Sequence, residues 1–175
     1  MTTIEVLLKQ TKQAYSWVHK LKDTVPEEKW DAIAPGMDSS LSWQLGHQII
    51  SIYYHTIMTT VGHLPELLET IDLRSYTKLS GYDTRPESVA GKFSPDQLRK
   101  DLKLMEDKSL EVIASLTEED LDKPVEPTKM PHPVAITKFD AIDWNIKHTM
   151  WHCGQMATWK RMVDKPHDYG IRKPE

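Results

Sequence analysis

The sequence predicts an all-α protein, a four-helix bundle with long crossover loops, and three observations predict it. Four stretches place apolar residues at the i, i+3, i+4, i+7 spacing of one helix face. Residues that start helices stand at the head of three of them: Asp38-Ser39-Ser40, Ser94-Pro95 and Thr137. No run alternates apolar and polar residues long enough for a strand, although 125–134 could hold an extended pair around its prolines.

In the first helix Ile4, Leu7, Leu8, Val18 and Leu21, with Tyr15 between them, mark one face over about 20 residues. The second opens at Asp38-Ser39-Ser40 and runs to Val61, where Gly62 can end it. Residues 39–65 hold no Asp, Glu, Lys or Arg, yet Ser, Thr, Gln and His interrupt them too often for hydrocarbon. A helix buried on several sides is expected there. The third has Ser94 as its cap, Pro95 at the first helical position and Gln97 two further on, then Leu98, Leu102, Met105, Val112 and Leu116. The fourth starts at Thr137, with Asp140 three residues on, and continues to Val163. Residues 1–163 are therefore read as one bundle and 164–175 as a C-terminal tail.

Two of the joins are long. Residues 62–94 carry Pro65, Gly81, Pro86 and Gly91, and residues 117–136 carry Pro124, Pro127, Pro131 and Pro133. Connections of this length either cross the surface or cover a site at one end of a bundle.

The formal charge of −4, from 22 basic and 26 acidic residues without a Lys/Arg run, leaves no electrostatic footprint for nucleic acid. The start of the chain has neither a basic region nor an apolar one of the secretory kind. The single cysteine, Cys153, rules out an internal disulfide. A cytoplasmic protein without a membrane or nucleic-acid partner is expected.

The chemistry concentrates in His148-Thr149-Met150-Trp151-His152, followed at once by Cys153-Gly154-Gln155. Residues i and i+4 lie about 40° apart around a helix and lean the same way, so two imidazoles can meet one ion at about 2.0–2.1 Å. On a wheel centred on His148, the residues Ala141, Trp144, His152, Gln155, Trp159 and Met162 share its side, while Asp143 and Arg161 stand opposite. The pair thus points inward, where an imidazolium would be costly and a neutral ligand to a metal would not. Cys153 falls well off this face and reads as a small buried hydrophobe.

The second helix repeats the exercise. Trp43, Ser51, Tyr54 and Met58 gather on the face of His47, while Leu45, Ile49, Ile52 and Thr56 make a second apolar surface. That second surface could meet a partner copy in a homodimer, or be covered by neighbouring helices or loops. His47 is the natural third ligand and His55, about 80° away, its main rival. His63 sits at the frayed end of that helix, His132 lies in a proline-rich loop, and His19 and His167 have no spacing in their favour. Three protein ligands with an open position would suit a catalytic site. Gln155, Tyr54 and Ser51 are the polar residues placed to steady a ligand or a bound water.

Trp43-Gln44-Leu45-Gly46-His47 and His148-Thr149-Met150-Trp151-His152-Cys153-Gly154-Gln155 together resemble the DinB-like (DinB/YfiT) metalloenzyme superfamily. The resemblance covers the bundle to about Val163. It implies a four-helix architecture and a metal-binding triad of His47, His148 and His152, with zinc or nickel as the divalent ion. It also implies a homodimer and, for some members, thiol-dependent S-transfer with a small thiol as co-substrate.

A metal-activated water or thiol at the open position would suit a hydrolase or an S-transferase. The alternative is a non-catalytic metal-binding module for stability or sensing. In H-E-x-x-H peptidases a glutamate follows the first histidine; here Thr149 stands there, which disfavours that chemistry.

Overall fold

The computed structural model describes residues 1–170. Among them every regular element is a helix: α1 Thr3–Lys22, α2 Leu41–Ile52, α3 Pro65–Thr70, α4 Leu73–Ser80, α5 Pro95–Ser115, α6 Glu118–Leu121 and α7 Lys138–Val163. Without a break, α2 continues as a π-helical segment, Tyr53–Met58, and a last turn, Thr59–Val61. Gly62 then ends it at φ 83°, a left-handed conformation that costs a glycine little.

The start signals work as expected. Thr137 accepts from the Asp140 N–H at 3.2 Å, and Asp140 in turn accepts from the Thr137 N–H at 2.9 Å. Ser94 caps α5 by accepting from Gln97 N–H at 3.1 Å. Of the three candidates at 38–40 it is Ser40 that caps α2, accepting from Trp43 N–H at 3.2 Å.

Four long helices close the bundle: α1 packs on α7 and α5, and α2 packs on α5 and α7. One core runs between them through Val18, Trp30, Leu45, Ile49, Leu98, Leu102, Met156 and Trp159. A smaller cluster of Leu7, Ile113, Leu121 and Ile142 closes the other end. Trp159 is fully buried, and its indole N–H donates to Ala32 O at 2.8 Å, tying α7 to the segment before α2.

The first long join is not a loop. Residues 62–94 contain α3, α4 and a 3₁₀ turn at Pro86–Ser88. Asp72 caps α4 by accepting from Ser75 N–H at 3.1 Å, and Leu73, Tyr76 and Ser80 follow at helical spacing on its buried face. Because α4 and α5 both pack on α2, the second apolar face of α2 is covered within the chain. Leu45, Ile49, Ile52 and Thr56 are all buried there. That face therefore gives no support to a homodimer, which rests on the resemblance alone.

The second join holds the short α6 and then the only isolated bridge among the described residues, Pro124 to Thr137. The extended pair that 125–134 could have held is not formed; the one bridge flanks that stretch. Val125 N–H donates to Ile136 O at 3.0 Å, and Glu126 N–H donates to Thr59 O at 2.8 Å. These contacts pin the proline-rich segment over the C-terminal end of the extended α2. After α7 the chain runs on without helix, and His167 and Tyr169 pack their rings against Trp17, 6.2 and 5.9 Å between centroids. The rest of the expected tail, 171–175, lies outside the described residues. No described helix is long and apolar enough to cross a membrane.

Candidate metal centre

His47, His148 and His152 come together from α2 and α7, with one ligand atom of each within 4.8 Å of the others. The ring centroids of His148 and His152 stand 4.5 Å apart, and that of His47 lies 4.8 Å from His152 and 5.5 Å from His148. His152 Nε2 and His148 Nε2 are separated by 3.2 Å. Two nitrogens bound to one tetrahedral ion at about 2.0–2.1 Å would be about 3.3–3.4 Å apart. With no metal, this contact must hold one proton, His148 Nε2–H donating to His152 Nε2. A divalent cation would displace that proton.

The other nitrogens of two of these rings are already committed. His47 Nδ1–H donates to Ser80 O at 2.8 Å, and His152 Nδ1–H donates to Gln44 Oε1 at 2.5 Å. Both tautomers leave Nε2 unprotonated, the arrangement by which a ligand histidine is oriented. Gln44 is fixed in turn, its Nε2 donating to Ser39 Oγ at 2.6 Å and to Gln155 Oε1 at 3.0 Å. Gln155 thus acts on His152 through Gln44, and among the described residues no hydrogen bond joins it to a triad ring.

The motif Trp43-Gln44-Leu45-Gly46-His47 is used residue by residue. Trp43 stacks on His47, 4.9 Å between centroids and 8° between planes, and its indole N–H donates to Thr84 Oγ1 at 2.9 Å. Gln44 holds His152, and Leu45 enters the core. Gly46 lets the end of α4 approach: a Cβ there would stand 2.3 Å from Ser80 Oγ. That approach is what brings the Ser80 carbonyl to His47.

Of the other expected site residues, Ser51 is buried, and Tyr54 stacks on His132 at 5.4 Å and donates to Met130 O at 3.2 Å. Among the described residues, no hydrogen bond links either to a triad imidazole. Cys153 is buried as expected, and burial pushes its thiol up to about 12, out of reach of nucleophilic use.

The sequence reading missed Gln44, Ser80 and a second histidine pair. His55 and His132 are both buried, and His55 Nδ1 lies 2.7 Å from His132 Nε2. The His55 ring stands 5.0 Å from that of His148. The cause is the π-helical segment. Its turn is wider, about 82° per residue, so from residue 53 onward it swings His55 to within about 25° of His47 rather than 80°. Hydroxyls of Thr59 and Thr60 donate to the His55 and Thr56 carbonyls in this stretch. Gln44 could have been found, since it lies one turn before His47 and about 60° around from it.

Burial, and then the neighbouring imidazoles, hold His152 and His55 down to about 2 and His148 down to about 4, from an ordinary 6.5. Burial also lowers His47 and His132. All five are neutral at pH 7, as metal ligands must be. In the unfolded chain these groups take protons below about 6.5, while in the native protein His148 does not until about 4 and His55 and His152 until about 2, with His47 and His132 also shifted down. Stability of the metal-free protein is therefore complete above about pH 6.5 and falls as the pH drops toward 4 and then 2. Each unprotonated histidine steepens that slope by about 1.4 kcal/mol per pH unit. Melting temperatures of the metal-free protein between pH 8 and 4 should be flat above 6.5 and decline below it; a flat profile to pH 4 would contradict the burial of these rings.

A helical bundle with three inward neutral histidines from two helices, and no carboxylate among them, defines a protein with a site that could hold one metal ion. The chain belongs to the DinB superfamily, whose family matches residues 10–156. A conserved protein from Enterococcus faecalis superposes with a TM-score of 0.68 at 14% identity, over 93% of this chain and 98% of that one. A protein from Streptococcus pneumoniae superposes with a TM-score of 0.62 at 16% identity, over 93% of each chain. Both are similar in fold. No curated protein matches the sequence.

Proposed function

We propose that the protein is a divalent-metal-dependent enzyme in which His47, His148 and His152 hold one zinc or nickel ion. The observation that carries this is the pairing of Nδ1 of His47 with Ser80 O and of His152 with Gln44, which leaves their Nε2 lone pairs free beside His148. Such an ion, when bound, supplies Lewis acidity that makes water or a small thiol nucleophilic near neutral pH.

Within that reading, thiol-dependent S-transfer is favoured over hydrolysis. Thr149, where an H-E-x-x-H peptidase has its glutamate, is fully buried and donates to Gln48 Oε1 at 3.4 Å. No carboxylate is part of the histidine cluster. A thiol, with an ordinary pKa of about 8.5, gives up its proton with far less help than water does. The triad would bind and orient, Gln44 and Gln155 would steady His152, and the Trp43 ring stacked on His47 would limit water at one wall.

The test is the metal content of the protein as purified, by mass spectrometry, followed by turnover with several low-molecular-weight thiols against an alkylating acceptor. Metal-dependent consumption of one thiol is expected. Bound metal with ester hydrolysis and no thiol consumption would move the assignment to hydrolase. Absence of metal would end it.

A further inference from the structure

His55 and His132 lie outside the triad, and their hydrogen bonds fix where each proton must be. His132 Nδ1 accepts from Val134 N–H at 3.2 Å and from Ala135 N–H at 2.7 Å, so it carries no proton. The His132 proton is then on Nε2, which donates to His55 Nδ1 at 2.7 Å. His55 is left with its own proton on Nε2. Neither ring can be an imidazolium, because a second proton on either would set N–H against N–H. The 2.7 Å separation is also too short for two nitrogens sharing a tetrahedral ion, about 3.3 Å, so this pair is a hydrogen bond and not a second metal site.

Among the described residues, the Nε2–H of His55 has no partner, and although the residue is only 6% exposed this atom is not shut off from solvent. His148 Nδ1 is buried and has no partner either. Once an ion takes His148 Nε2, the proton which that atom gives to His152 in the metal-free protein must move to Nδ1. With an ion bound, two N–H donors without a protein acceptor would sit on neighbouring rings, 5.0 Å between centroids, with Trp144 close to both at 6.4 and 6.0 Å. The buried one, on His148, calls for an acceptor, and the one on His55 is open to an acceptor that enters from solvent.

We propose that His55 is a ligand-orienting residue, fixed by His132 as a neutral N–H donor beside the metal centre. It serves a carboxylate or carbonyl oxygen on the small molecule that the centre takes. The inference rests on the metal-centre reading above and narrows its substrate to molecules that present such an oxygen next to the reacting atom. His132 is a positioning residue: it acts through His55, and the backbone N–H groups of residues 134 and 135 act through it. The π-helical segment of α2 and the pinned proline-rich join are what bring the two rings together.

Two measurements test this on the full chain. Long-range ¹H–¹⁵N NMR of histidine-labelled protein should show both His55 and His132 protonated at Nε2 alone. A proton on His55 Nδ1 would overturn the proposal, and this arm reads the same whether or not metal binds. Cobalt(II)-loaded protein titrated with acetate, followed by visible absorption, should bind it about tenfold more weakly in His55→Phe, the worth of one charge-assisted hydrogen bond. Metal content should be unchanged, and His55→Gln, which keeps an N–H donor, should recover part of the loss. His132→Phe should fall between. Unchanged acetate affinity in a metal-loaded His55→Phe protein would mean that the donors meet only water, and loss of metal in that variant would make His55 a ligand. Either result overturns the proposal. If the parent protein takes up no cobalt, the metal-centre reading itself fails, with an NMR result that stands apart from it.

Discussion

Replacing His148 and His152 together by alanine is expected to abolish metal binding while the bundle stays folded. The double variant removes two of three ligands, and His47 alone cannot hold an ion against water. Folding has little at stake in the change. Alanine improves helix propensity by roughly 0.5 kcal/mol at each position in α7. Against that, Gln44 Oε1 loses the proton of His152 Nδ1, about 1–3 kcal/mol where the group stays buried. In the metal-free state the melting temperature should move by only a few degrees, and metal by mass spectrometry should drop to background. Metal retained in full would show the triad assignment to be wrong. Metal lost together with the fold would favour a structural ion, and with it the non-catalytic module, since a structural ion contributes folding free energy directly.

The second large effect is expected at Gly46, which touches no metal. Its Cα faces Ser80, and an added methyl would meet Ser80 Oγ at 2.3 Å and Ser80 Cβ at 3.0 Å. Overpacking of this kind costs about 1–3 kcal/mol, partly offset by the roughly 0.5–1 kcal/mol by which alanine outperforms glycine within a helix. Gly46→Ala should therefore lower stability by about 1–2 kcal/mol, a melting shift of about 2–8 °C for a chain of this size. Because the displaced residue carries the carbonyl that accepts from His47 Nδ1, metal affinity should fall about tenfold as well. Ser80 Oγ is buried without a partner, so Ser80→Ala removes the nearest clash without losing a hydrogen bond. The Gly46→Ala/Ser80→Ala double variant should recover stability and affinity together. Recovery of neither would place the role of Gly46 elsewhere.

What the sequence disclosed depended on whether the α-helical period held. Ser94, Thr137 and the apolar spacing placed the long helices within a few residues, and on α7 the wheel put His148 and His152 on one inward face. Along α2 the same wheel worked as far as Ile52 and then misplaced His55, because the π-helical turn changes the angle per residue and nothing in Tyr53–Met58 announces it. The short α4 was legible in Asp72, Leu73, Tyr76 and Ser80, but the prolines and glycines on either side of it read as one continuous loop. Ser80 O and the amides at 134 and 135 could not be foreseen at all. They act through the backbone, where side-chain identity carries no signal.

The helix that supplies two of the three imidazoles comes after the other three long helices in chain order. Gln44 and His152, which orient each other, are 108 positions apart. His47 meets its neighbours only once α7 has packed against α1 and α2. A nascent chain that has released everything through α5 from the ribosome has one triad histidine and no second ligand near it. On the proposed reading, metallation would therefore follow closure of the bundle, and the ions available at that moment would decide which one the site receives.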